Sequence, residues 1–322
     1  MPEKNSDNKQ FYPFDQNKPI LDYPISLDHT RMMQYITCFK ERYPFLQVQN
    51  IGTSVLGKNI PLLSLGEGDK CVFYIGAQNG MDWITSIILL RFVNEYAEYY
   101  RTGRRLYGLY LPYSFHQRRI FVLPMLNPDG VDYVLHGITA DNPLYERLVK
   151  MNGGNMDFSH WQANGRGVDL KHNFDAGFEE YRALANSIGI TQGCSAGFGG
   201  ESAESEVEAA YLGRYIRYLQ PQLHAIVSLE TEGEKISYAA DKIIYPRTLA
   251  LARILSRLTS YALLPPKESE RSAGCVDWAT QKLQIPAFTV SCGRGQRPLP
   301  QEEYFCIYAS LREMLFQVPQ LI

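Results

Sequence analysis

Six histidines, His29, His116, His136, His160, His172 and His224, are spread along 322 residues. No two of them stand at HxxH, HxxxH or HExxH spacing, the arrangements that let two imidazoles converge on one ion from a single short segment. The six cysteines, Cys38, Cys71, Cys194, Cys275, Cys292 and Cys306, form no CxxC pair and lie mostly among apolar neighbours, as buried thiols of a reducing compartment do. His172 has the side chain for acid–base work near neutral pH, although a solitary histidine more often packs or hydrogen-bonds. Ser291 with His172 would be the start of a serine-hydrolase pair, but there is no Gly-x-Ser-x-Gly elbow and no orienting carboxylate to assign. Gly193, Gly197, Gly199 and Gly200 lack the Gly-Lys-Ser/Thr ending of a phosphate loop.

The elements that must position these residues follow from composition and pattern. Hydrophobic types make up 45% of the chain and charged types 20%, the profile of a folded globular protein. The 32 Lys plus Arg against 34 Asp plus Glu give a formal charge of -2, which argues against a surface built for nucleic acid or anionic lipid. No apolar run is long enough to span a bilayer, and the polar opening MPEKNSDNKQ is not a signal segment, so a cytoplasmic, non-membrane protein is expected. Residues 1–25 read as an N-terminal arm, and 26–322 as one domain.

Within that domain a hairpin is predicted around Gly57-Lys58-Asn59, and a helix from about Ser26–His29. Buried strands are predicted at 71–77, 118–125, 224–230 and 286–292, with helices near 83–100, 203–219, 245–262, 277–283 and 302–316. Asn127-Pro128-Asp129-Gly130 reads as a turn, and residues 151–200, rich in Gly, Asn and Ser, as a loop system that shapes a site. Strands alternating with helices to the end predict a single α/β sandwich on a parallel or mixed sheet.

Seven blocks stand in an order that carries a family pattern: GKNIPLLSLG, IGAQNGMDWIT, LPMLNPDGVDYVL, WQANGRGVDLKHNFDAGF, GGESAESEVEA, IVSLETEGEKISY and GCVDWATQKLQIPAFTVSCG. Through them the chain resembles the zinc metallocarboxypeptidases (peptidase M14), in particular their bacterial branch acting on γ-D-glutamyl-diaminopimelate peptides of the cell wall. The resemblance implies a three-layer α/β/α sandwich with a mixed eight-stranded central sheet and a site at the carboxyl ends of its strands. It also implies one zinc held by His-x-x-Glu and a second His, a Glu general base, and zinc-activated water as the nucleophile.

The positions that would carry this chemistry are substituted. Asn79 and Asp82 stand at the His-x-x-Glu positions, and Glu230 stands at the second His in Leu229-Glu230-Thr231-Glu232-Gly233-Glu234. An amide oxygen is a poor zinc ligand and Asp is shorter than Glu, so no zinc-binding imidazole remains in either motif. Ser291 occupies the base position in Thr289-Val290-Ser291-Cys292-Gly293 and has no carboxylate to take a proton. The carboxylate-clamping block reads Asp169-Leu170-Lys171-His172-Asn173-Phe174, with Lys171 and His172 where the family has Asn and Arg. Gln162, in Trp161-Gln162-Ala163-Asn164, replaces a cation that polarises the scissile carbonyl, and PPKESERSAG lacks the substrate-loop tyrosine.

These changes imply a catalytically inactive carboxypeptidase-like protein, with no cofactor expected, whose vestigial cleft binds a peptide or peptidoglycan-derived peptide. Gln162, Asn164, Lys171, His172 and Asn173 are the candidate cleft residues, and Lys171, His172 and Arg166 could meet an anionic peptide end. The alternative is an active metallocarboxypeptidase or γ-D-glutamyl-diaminopimelate peptidase. It would use Asn79, Asp82 and Glu230 as an oxygen-rich site for zinc or, weakly, for Mg²⁺ or Ca²⁺. Nucleic acid is not an expected partner, and oligomeric state is open.

Overall fold

The computed structural model describes residues 21, 25–231, 233–239, 245–264 and 273–322. Of the arm predicted over 1–25, only Leu21 and Ile25 fall among these; Leu21 is buried and its carbonyl accepts from the Arg91 guanidinium. Most of the PPKESERSAG segment, 265–272, also lies outside the described residues.

The chain builds one eight-stranded mixed sheet from β1 (Gln47–Thr53), β2 (Asn59–Gly66), β3 (Lys70–Ile75), β6 (Arg118–Leu123), β7 (Leu223–Glu230), β8 (Lys235–Tyr238), β9 (Ala262–Leu263) and β10 (Ala287–Ser291). Their order is β1-β2-β6-β3-β7-β10-β8-β9. The central strands β6, β3, β7 and β10 run parallel, while β1, β2 and β8 pair antiparallel to their inner neighbours. A separate two-stranded ribbon joins β4 (Arg105–Leu106) to β5 (Leu109–Tyr110).

Central strands buried on both faces explain the uninterrupted apolar runs of the sequence. Alternation then sorts side chains between two layers. Val72 and Tyr74 of β3, Ile120 and Val122 of β6, and Val227 and Leu229 of β7 pack with α1 (His29–Arg42), α2 (Ile84–Arg101), α8 (Tyr245–Thr259) and α10 (Tyr304–Leu321). Phe73, Ile75, Phe121 and Ile226 face α7 (Val207–Leu219) and α9 (Cys275–Leu283) on the other side. The architecture is the expected α/β/α sandwich. No helix is long and apolar enough to cross a membrane among the described residues.

The predicted hairpin forms, and its chain reverses at Gly57, whose φ of 79° is strained for residues with a Cβ. Asn127-Pro128-Asp129-Gly130 is a helix start rather than a free turn. Asn127 caps α4 (Pro128–His136) by accepting from Gly130 N at 2.9 Å, with Pro128 in the first turn where no amide hydrogen is needed. Sequence pattern did not predict α3 (Leu111–Gln117), α5 (Tyr145–Met151) or α6 (Phe178–Ser187), the last lying within the predicted loop system. The helix predicted from 203 begins at Val207, and α10 extends past 316 to Leu321.

Candidate functional site

The carboxyl ends of β3, β7 and β10 converge on one buried point. After β3, Ala77 sits at φ 42°, with its amide bound to Thr85 Oγ1 at 2.8 Å and its carbonyl accepting from Asn127 N at 2.9 Å. The chain then makes a 3-10 turn over Gly80–Asp82, capped by Asn79. Gly80 is required there, because a Cβ would lie 2.6 Å from the carbonyl oxygens of both Gly130 and Trp161. This turn presents Asn79 and Asp82 inward, both buried.

Asp82 Oδ1 accepts from Thr231 N at 3.0 Å, from Thr231 Oγ1 at 2.5 Å and from the Arg297 guanidinium at 3.1 Å. Its Oδ2 is buried without a hydrogen bond among the described residues. Glu230, the last residue of β7, is bound on one oxygen by the Lys171 ammonium and on the other by Ser291 Oγ at 2.6 Å. Asn79 is turned away from both carboxylates: its carbonyl oxygen accepts from Met81 N and its amide nitrogen donates to Gln162 Oε1, each at 2.9 Å.

The electrostatics follow from this wiring. Burial pushes the Glu230 carboxyl up, but the charge and hydrogen bond of Lys171, with the Ser291 hydroxyl, outweigh it and hold the group below its ordinary value. Lys171 answers in kind: burial pulls it down, yet Glu230 and Asp82 raise it, so the pair is ionised at neutral pH. Burial dominates at Asp82 and raises its pKa, against the cations of Arg297 and Lys171. Cys292, bonded through both N and Sγ to the Glu230 carbonyl, is a buried thiol pushed well up by burial and by the two carboxylates, which makes it a poor nucleophile.

The other candidate residues divide. Gln162 joins the cluster through Asn79, and its backbone carbonyl accepts from Gly80 N and Asn127 Nδ2 at 3.1 and 3.2 Å. Lys171 and His172 lie in a 3-10 turn, Leu170–His172, not on an alternating strand; Lys171 reaches Glu230 while the His172 ring stacks on Tyr181 with centroids 4.2 Å apart. Arg166 is exposed, its backbone N held by Asn164 Oδ1 at 2.9 Å. Asn164 and Asn173 are fully buried joints. Asn164 Nδ2 donates to Glu206 and Glu208 at 2.7 and 3.2 Å, and Asn173 Nδ2 donates to Gly199 O, Ser202 O and Ser205 Oγ at 2.6, 3.1 and 3.0 Å. Arg297 and Thr231 were not among the residues singled out from the sequence. The signal for Arg297 was that a buried Asp82 requires a cation, and the GRGQRP segment after β10 offers two arginines.

The donor set does not fit zinc. Both oxygens of Glu230 and one of Asp82 already accept hydrogen bonds, the Asn79 oxygen caps its own turn, and two side-chain cations balance the two carboxylates. Among the described residues no group of three or more His, Cys, Asp or Glu is placed to hold a metal ion.

Comparison with known proteins agrees with this architecture. The family model described as zinc carboxypeptidase matches residues 32–309. The gamma-D-glutamyl-L-diamino acid endopeptidase 1 of Lysinibacillus sphaericus is 31% identical over 281 residues, covering 87% of this chain and 69% of that protein. Among solved structures, bovine thrombin-activatable fibrinolysis inhibitor in complex with tick carboxypeptidase inhibitor superposes with a TM-score of 0.71 at 18% identity, over 94% of this chain and 97% of that one. Murein-tripeptide amidase from Escherichia coli O157 gives 0.52 at 20% identity, over 85% and 90%. Ion pairs occupy the point where the sequence resemblance would place a metal, and the fold and sequence place the chain in the zinc carboxypeptidase family.

Proposed function

We propose that this chain is a noncatalytic member of its family whose remodelled cleft binds a peptide, of the cell-wall type named for its relatives, without cleaving it. One observation carries the reading: Lys171 and Arg297 neutralise Glu230 and Asp82 where a metal's ligands would converge. Hydrolysis by this family's route needs a polarised water and a base. Ser291, at the base position, spends its hydroxyl proton on Glu230 and has no carboxylate of its own. Peptide binding draws support from Lys171 and His172, which are partly exposed on the 3-10 turn beside the site and offer nitrogen donors to an anionic peptide end. The six free cysteines fit a reducing compartment as its setting.

The test is a calorimetric titration of the purified chain with zinc, magnesium and calcium, and with a γ-D-glutamyl-diaminopimelate peptide, alongside a hydrolysis assay. The expected result is peptide binding with no turnover and no micromolar metal affinity. Metal-dependent turnover abolished by Asp82→Ala or Glu230→Ala would establish the oxygen-rich metal enzyme instead, with Asp82 Oδ2 as its available oxygen.

A further inference from the structure

The amino ends of the parallel strands carry a second polar cluster, about 20 Å from the first by the length of β7 from His224 to Glu230. β6 opens with Arg118 and β3 with Lys70, and these two are direct register partners. Ile120 and Val122, two and four residues on from Arg118, and Val72 and Tyr74, likewise from Lys70, all pack against α2 and α10, so alternation sets Arg118 and Lys70 on that same face. On the next strand, Leu223 pairs with Cys71 and Ala225 with Val72, so His224 is the extra residue of a bulge, a feature that re-aims a side chain. Its Nδ1 meets a guanidinium nitrogen of Arg247, from the first turn of α8, at 3.0 Å. Arg247 donates in this contact, so the ring keeps its proton on Nε2 and offers a further donor.

Like charges set opposite each other on neighbouring strands are destabilising. Here no carboxylate offsets them: among the described residues none pairs with Lys70, Arg118 or Arg247. The Arg118 guanidinium is instead fixed by backbone carbonyls, Pro319 O at 2.8 Å and Gln117 O at 3.1 Å, so it is pre-positioned without a carboxylate partner among the described residues. Burial, then the charges of Arg247, Lys70 and Arg118, hold the His224 pKa below its ordinary value, which places all three cations within electrostatic reach of one imidazole.

We infer that Lys70, Arg118, His224 and Arg247 form a binding site for a phosphate-bearing ligand. Three adjacent strands span about 10 Å, wider than one phosphate, so the row matches a diphosphate better than a single oxyanion.

The experiment uses the full chain at low ionic strength, with pyrophosphate, inorganic phosphate and sodium chloride compared at matched ionic strength. Pyrophosphate is expected to bind saturably by calorimetry and to raise the unfolding temperature beyond chloride, with phosphate between them. Lys70→Gln and Arg247→Gln are each expected to weaken pyrophosphate binding about tenfold, the loss of one charge-assisted bond. Both should unfold at a higher temperature than wild type in anion-free buffer, because each relieves repulsion. Equal effects of chloride and pyrophosphate, or variants with unchanged affinity, would overturn the site. Sedimentation with phosphatidylglycerol vesicles tells a lipid headgroup from a soluble phosphate ester as the source, and either result is compatible with the site once pyrophosphate binds.

Discussion

Lys171 meets the electrostatic requirement of a buried carboxylate that would otherwise fall to a metal ion. Removing one partner of such a pair strands the other, whereas removing both leaves no orphan charge. Lys171→Met is therefore expected to cost about 3 kcal/mol in urea unfolding. Lys171→Met with Glu230→Gln should recover most of that loss, and a double-mutant cycle that adds without coupling would refute the pairing. At this scale the loss of zinc ligands was legible, since Asn79, Asp82, Glu230 and Ser291 stand inside short, ordered words of the sequence. The replacements were less so. Thr231 and Arg297 lie 149 and 215 residues from Asp82, and nothing local marks either as its partner. Lys171 was visible as a candidate cleft residue, but its partner was not; the 3-10 turn brings it to Glu230, 59 residues away.

The turn from Gly80 to Asp82 sets the position of two of the vestigial ligand residues. Gly80→Ala would drive a methyl into two backbone carbonyls, neither of which can step aside as a flexible side chain does. The expected cost is about 1–3 kcal/mol in urea midpoint at constant m-value, and an unchanged midpoint would mean that the contact is looser than the geometry shows. Elements with a strong period or an uninterrupted apolar run, such as β3, β6, α1 and α2, were readable from the sequence alone. Short elements were not. In Asn127-Pro128-Asp129-Gly130 the same residue types serve a turn and a helix cap, and only the helical continuation through His136 decides between them. The α6 helix hides in the glycine- and asparagine-rich stretch because a ten-residue helix adds little period to it.

Across the whole molecule a formal charge of -2 conceals strong local imbalance. Among the described residues, Lys70 and Arg118 meet without a carboxylate partner at the amino ends of β3 and β6, while carboxylates are interred elsewhere. Glu208 is one of these. It ties α7 to Val55 N at 3.1 Å and to Asn164, and burial pushes its pKa to about 7. A folded value above the ordinary 4.5 means that the contribution of Glu208 to stability is complete below pH 4.5 and is lost as pH rises through 7. The span between those values is worth roughly 3 kcal/mol. Glu208→Gln should remove this slope, leaving the variant more stable than wild type at pH 8 and little changed at pH 5. Parallel pH profiles for the two proteins would contradict the assignment. Glu230, held below its ordinary value, acts in the opposite sense and loses its contribution as pH falls through the acid range.

The ion pairs at the strand ends join the turn after β3, the 3-10 turn at Lys171, the end of β7 and the loop beyond β10. A member of this family held together there by its own ammonium and guanidinium groups is expected to keep its shape whatever the trace-metal supply. Its unfolding curve should be the same in a chelating buffer as in a zinc-replete one, and starvation for zinc, which empties the sites of metal-dependent peptidases, should leave this cleft in its working shape.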